Sequence, residues 1–180
     1  MVGEATGNRY HVRAAGRHDA AAAARMFALM AAETADITLR PETLQPTMCR
    51  LIAHETVGLL LAETPGPGCG RALPSSPTRM EAETAHGCVA DQVVGMCMLV
   101  ALPDPWTGRF SAEIRALVVD PVHRRQGVGR SLLVAAIGWA RNRNCAYLCL
   151  VGEPGNRKAQ AFYRNAGMKE KSARYFELSL

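Results

Sequence analysis

Lysine is nearly missing from this 180-residue chain. Only Lys158, Lys169 and Lys171 stand among 21 basic residues, so the net charge of +5 and the pI of about 9.1 come almost wholly from arginine. Such a charge attracts anions without choosing among nucleic acid, a membrane surface and a phosphorylated small molecule. The six cysteines (Cys49, Cys69, Cys88, Cys97, Cys145, Cys149) form no CxxC pair and no zinc-spaced clusters, which argues against a metal site. Cys97, Cys145 and Cys149 lie in apolar runs and read as small buried hydrophobes. The opening MVGEATGNRYHVR has no apolar core of a signal peptide, and Gly3 stands one place too late for myristoylation. No apolar stretch reaches the roughly 18 residues of a membrane span. A cytoplasmic protein with reduced thiols is expected. The five histidines are scattered and offer no triad, and there is no internal repeat. What remains, 48% apolar and 21% charged, is the composition of one globular domain over 1–180 rather than a fibrous or disordered chain.

Along the chain, Tyr10 to Ala14 reads as a short strand. Asp19 is placed to cap a helix through AAAAARMFALMAAE, and Pro41 suits the first turn of a second, with Leu44, Met48, Leu51 and Ile52 on one face. Glu55 to Ala62 reads as a strand. From 63 to 87 the prolines, glycines and scattered charges deny the chain a ladder or a helix, and a disordered loop insertion is expected. Val93 to Leu102 is continuously apolar, as a strand buried on both faces would be. Phe110 to Val119 follows after a turn of seven or eight residues, as the second strand of an antiparallel hairpin. A helix with Val128, Leu132, Ala135, Ala136 and Trp139 on one face leads to a strand at Cys145 to Val151. Asn156 then caps a helix closed by Gly167, and Ala173 to Leu180 has strand character. The fold class is α/β with an α+β flavour: a mixed, mostly antiparallel central sheet flanked by helices, with one late β-α-β unit.

The most informative stretch is VVDPVHRRQGVGRSLL, Val118 to Leu133. A strand ends, Gly127 and Gly129 remove Cβ atoms from a tight turn, and an amphipathic helix begins at once. Backbone N–H groups and the positive end of the helix make an anion site for a phosphate or pyrophosphate. Arg124, Arg125 and Arg130 add formal charge. No Gly-Lys-Ser/Thr follows, which excludes a Walker A loop, and Leu132 stands where a dinucleotide fingerprint needs a small residue. The bland alternative is a plain left-handed turn before a helix.

At these residues the chain resembles the GNAT superfamily, the N-acetyltransferases related to the general-control histone acetyltransferases. The family's Arg/Gln-x-x-Gly-x-Gly/Ala signature stands here as Arg124-Arg125-Gln126-Gly127-Val128-Gly129. AEIRALVVD before it resembles the family's fourth strand. NRKAQAFYRNAGM after it matches Asn-x-x-Ala-x-x-Phe-Tyr-x-x-x-Gly-aromatic except at Met168, a packing swap. The close match covers about residues 110 to 170. The resemblance implies a splayed β-α-β site for acetyl-CoA as cosubstrate. In it, the N–H groups of Gln126, Gly127, Val128, Gly129 and Arg130 wrap the pyrophosphate, flanked by Arg124 and Arg125. Leu117, Val118 and Val119 pair their backbone with the pantetheine arm. The Leu117 N–H would donate to the thioester oxygen, and Asn156 would contact the pantetheine, cap its helix, or both.

Two side chains stand where the family moves protons. An amine with a pKa near 10.4 is almost wholly protonated at neutral pH, so attack requires a proton acceptor. Glu113 lies eleven residues before Arg124, the spacing at which the histone-acetyltransferase branch carries its general base. Arg115 stands two residues on in the same strand and could instead be its ion-pair partner, so base and structural pair both stay open. Tyr163 matches the family's general acid, with a core aromatic beside Phe162 as the bland alternative.

The implied activity is direct acetyl transfer from acetyl-CoA to a primary amine, without metal or covalent enzyme intermediate. The alternative is a non-catalytic acyl-CoA-binding module of the same fold. Acidic and aromatic residues in the regions where the family binds acceptors (Glu33, Asp36, Asp104, Trp106, Tyr175, Glu177) would suit a cationic amine. Residues 120–174 carry 11 Lys/Arg against three Asp/Glu, while the remainder carries 10 against 13. The positive excess therefore belongs to the half with the glycine turn, which takes most of the support from a nucleic-acid reading, and neither nucleic acid nor a membrane is expected as a partner. The identity of the amine and the pairing of two copies as a homodimer stay open.

Overall fold

The computed structural model describes residues 10–34, 38–64 and 92–171. They belong to two compact units, Met1–Cys149 and Leu150–Leu180. Chain order in the described residues is β1 (His11–Ala14), α1 (Ala20–Thr34), α2 (Pro41–Ile52), β2 (Val57–Glu63), β3 (Val93–Asp104), β4 (Arg109–Val119), α3 (Val128–Asn142), β5 (Cys145–Leu150) and α4 (Arg157–Asn165). The strands lie in sequence order in one mixed, open sheet, with β1–β2, β2–β3 and β3–β4 antiparallel. The α3 crossover carries the chain from β4 to β5, the late β-α-β unit expected from the sequence.

The register divides the sheet into two faces. Leu59, Leu61, Met96, Met98, Ala116 and Val118 form one core with Ala20, Ala23, Ala24 and Met26 of α1 and Met48 of α2. The alanines let α1 lie close to the strands while favouring the helix itself. On the opposite face α3 packs closely enough that two strand glycines are required by space. A Cβ at Gly58 would sit 2.4 Å from the Trp139 ring, and one at Gly95 2.9 Å from Val128 and 3.0 Å from Leu132. Covered on both sides, β3 is buried from Val94 to Leu99, which accounts for its unbroken apolar run.

One irregularity in this sheet matters for chemistry. Met98 pairs with Ala116, but Leu99 pairs with Ile114, so Arg115 is an extra residue in β4. Side chains alternate along a strand, and one inserted residue exchanges the faces beyond it. Glu113, opposite Val100, and Ser111, opposite Leu102, therefore fall on the α1–α2 face with Met98 and Ala116. Without the bulge they would lie under α3.

Several details differ from the sequence reading. Asp19 does not begin α1 as its cap; it closes a short 3-10 turn, and its carboxylate turns back to accept from the Gly16 N–H at 2.7 Å and from Arg13. Arg13 also reaches Glu63, and both carboxylates are buried. An arginine within reach is a stronger attraction for a buried carboxylate than a free N–H. β2 starts at Val57, two residues late, because Glu55 and Thr56 are in a turn. The β3–β4 connection spans only residues 105–108, since Asp104 organises it by accepting from the Trp106 N–H and the Thr107 hydroxyl. The expected insertion, apart from Glu63 in β2 and Thr64, and the expected strand at 173–180 lie outside the described residues.

Candidate active site

After β4 the chain makes a 3-10 turn at Pro121–His123, begun by the Asp120 carboxylate accepting from the Val122 N–H at 2.9 Å. The next turn holds two residues in the left-handed region, Arg125 at φ 63° and Gly127 at φ 91°. A Cβ on Gly127 would meet nothing within 4 Å, so glycine is needed there for conformation and not for space. Gly127 is the N-cap of α3, and its carbonyl accepts from the Ser131 N–H at 3.0 Å. A left-handed turn leading into a helix N-terminus turns successive N–H groups outward, which is the arrangement that binds anions. Gly95 contributes at a distance: it lets the first turn of α3, with buried Val128, sit down on β3.

The residues around this turn have different uses. Arg124 Nη2 lies 2.6 Å from each oxygen of Glu33 at the end of α1, and its Nε donates to the Val119 carbonyl at 2.9 Å. Its guanidinium thus ties the turn to α1. Arg125 and Arg130 are exposed. The Gln126 side chain is held at both ends. Its Oε1 accepts from the Tyr10 hydroxyl at 2.6 Å, and its Nε2 donates to the Val122 carbonyl at 2.9 Å. The Tyr10 ring stands edge-on to His123, with centroids 6.1 Å apart. The sequence places Tyr10 only at the start of a strand, because its partner lies 116 residues away.

Just past β4 the Asp120 N–H donates to the Val94 carbonyl of β3 at 2.9 Å. By the alternation of an antiparallel ladder, the N–H groups of Val118 and Ala116 also face β3, and those of Val119 and Leu117 face away from it. Glu113, about one-fifth exposed, accepts on Oε1 from Arg115 at 2.8 Å, so the ion pair of the sequence reading is formed. Burial, with the Glu113 charge added to it, pushes the Cys149 thiol up. Burial alone pushes Cys97 up to about 12. Cys145 is also raised, mainly by burial. These thiols are poor nucleophiles.

Asp104, expected on the acceptor side, is buried in the hairpin turn. Burial would raise its carboxyl, but the Thr107 hydroxyl, the Trp106 N–H and the Tyr147 hydroxyl outweigh that and hold it below its ordinary value. Trp106 is almost fully exposed. Asp36, Tyr175 and Glu177 lie outside the described residues.

In the second unit, the Asn156 side chain accepts from the Ala159 N–H at 3.0 Å and so caps α4. Tyr163 packs edge-on against Phe162, with centroids 5.2 Å apart. Gly167 at φ 86° ends the helix, and the Met168 N–H returns to the Tyr163 carbonyl at 3.1 Å.

The open mixed sheet is a fold that solved structures share. The structure matches that of a possible acetyltransferase from Clostridium difficile 630 with a TM-score of 0.73, at 19% identity over 96% of this chain and 99% of that one. The profile of the Acetyltransferase (GNAT) family matches residues 63–168, and the chain belongs to that family. It is 29% identical over 85 residues to N-acetyltransferase family 8 member 3 of Rattus norvegicus, and 28% over 86 residues to N-acetyltransferase 8 of Homo sapiens. The matched segments cover 47% and 48% of this chain, but only 37% and 38% of those relatives. Among the described residues no helix is long and apolar enough to cross a membrane.

Proposed function

We propose that the protein transfers an acetyl group from acetyl-CoA to a primary amine in a ternary complex. The observation that carries this reading is the left-handed Gly127 turn at the head of α3, a nest of N–H groups in the basic part of the chain. The N–H groups from Gln126 to Arg130 would hold the pyrophosphate, with Arg125 and Arg130 adding charge and Arg124 bracing the turn. Leu117 and Val119, whose N–H groups face away from β3, would line the pantetheine arm together with Val118 between them. The Leu117 N–H would donate to the thioester oxygen as negative charge develops there.

Glu113 takes a proton from the ammonium, the freed amine attacks the thioester carbon, and as the carbon–sulfur bond breaks the nitrogen gives up its second proton, which balances the one the leaving thiolate takes. Tyr163 protonates the leaving thiolate; its part rests on its place in the Asn156–Gly167 motif. Asn156 positions α4 by capping it. The bulge at Arg115 supports the role of Glu113, because it moves the carboxylate to the α1–α2 face, away from α3. Arg115 must release Oε1, or leave the proton to the other oxygen, for Glu113 to act.

That ion pair is the observation in favour of a second reading, a CoA-binding module without turnover. Free-thiol release from acetyl-CoA, followed across a panel of primary amines, separates the two. The first reading expects turnover with at least one amine and a large fall in kcat for Glu113→Gln. CoA binding without thiol release across the panel would leave only the binding module.

A further inference from the structure

We infer that Tyr10 is a positioning residue for the anion-binding turn, acting through Gln126. The inference rests on the reading of that turn as the pyrophosphate site and extends it to the first strand of the sheet.

Gln126 stands between two residues of positive φ, Arg125 and Gly127. For the arginine this conformation is strained, and such geometry persists only where its surroundings enforce it. The enforcement comes through the Gln126 amide. The Val122 carbonyl can only accept, so Nε2 must face it, and Oε1 is left to take the Tyr10 hydroxyl proton. Tyr10 is itself 6% exposed at the head of β1, and its ring edge-packs with His123 on the other limb of the turn. One buried side chain therefore contacts both limbs of an otherwise exposed loop. A turn ordered before the ligand arrives spares binding the cost of ordering it.

The test is CoA binding by calorimetry to wild-type protein, Tyr10→Phe, Gln126→Leu and the double variant. Pantetheine, which lacks the pyrophosphate, is measured in parallel by competition. Tyr10→Phe keeps the ring against His123 and deletes only the hydroxyl. The loss expected for one hydrogen bond is about three- to tenfold in Kd for CoA, with pantetheine unchanged within about twofold. Gln126→Leu deletes this bond together with the one to the Val122 carbonyl and should lose at least as much, and the double variant should be no worse than Gln126→Leu alone, since the Tyr10–Gln126 bond is already gone there. A purely structural Tyr10 would weaken both ligands alike, and that result overturns the inference. So does CoA binding within about twofold of wild type in Tyr10→Phe. If Tyr10→Phe does not fold, Gln126→Leu decides by the same criteria. Failure of the wild-type protein to bind CoA would instead sink the reading of the turn.

Discussion

Two groups of arginines in this molecule have opposite fates. Arg13 is enclosed by Asp19 and Glu63, both buried, and its own proton is held more tightly by these hydrogen bonds, that of Asp19 first. The turn at 124–130 has three arginines, of which Arg124 leans on Glu33 while Arg125 and Arg130 are exposed. The first cluster has no positive charge left to offer and fastens β1 to β2 and to the turn before α1. The second keeps positive charge and outward N–H groups. In the proposed function it is charge left uncompensated at a shaped backbone, not arginine density, that binds the anion.

The sharpest way to break this contrast is Arg13→Met. It strands two buried carboxylates and should cost about 3–5 kcal/mol at neutral pH, read by urea unfolding. The pH dependence has a definite sign. The Arg13 hydrogen bond is the main cause holding the Asp19 carboxyl below its ordinary value, against the opposing effect of burial. That contribution is complete above the unfolded value near 3.9 and is lost as pH falls through the lower folded value. The wild-type advantage over Arg13→Met should therefore shrink as pH is taken from about 6 towards 3.

Gly95→Ala tests whether the two faces communicate. Its Cβ would press on Val128 and Leu132 and lift the first turn of α3, at about 1–3 kcal/mol with weaker CoA binding. A Cβ at Gly127 meets nothing within 4 Å, so the cost of Gly127→Ala is confined to the left-handed backbone, about 1–2 kcal/mol, while CoA affinity should fall at least tenfold. The two glycines thus predict different ratios of lost stability to lost binding. The smallest effect belongs to Glu33→Gln. An ion pair as exposed as this one contributes under about 1 kcal/mol. Removing the carboxylate releases Arg124 towards an anion, so CoA should bind slightly tighter, not weaker.

What could be read from the sequence was local. The Gly127 turn, the apolar run of β3, the Asn156 cap and the Gly167 helix end each depend on neighbours within a few residues, and all are found. What stayed hidden was contact between distant segments: Tyr10 on Gln126, Glu33 on Arg124, Arg13 between Asp19 and Glu63. Asp19 misled because a helix-capping residue and a buried ion-pair partner look alike until the strand bearing Arg13 is placed beside it. The bulge at Arg115 was equally silent. Period-two alternation puts Glu113 on one face, and only the pairing with β3 reveals the inserted residue that moves it to the other.

The central claim is that the uncompensated turn is a CoA site, and titration calorimetry of CoA into the wild-type protein at low and raised salt tests it most directly. Saturable one-to-one binding that weakens as salt screens the exposed arginines is the predicted result. No measurable binding at either salt concentration would contradict it.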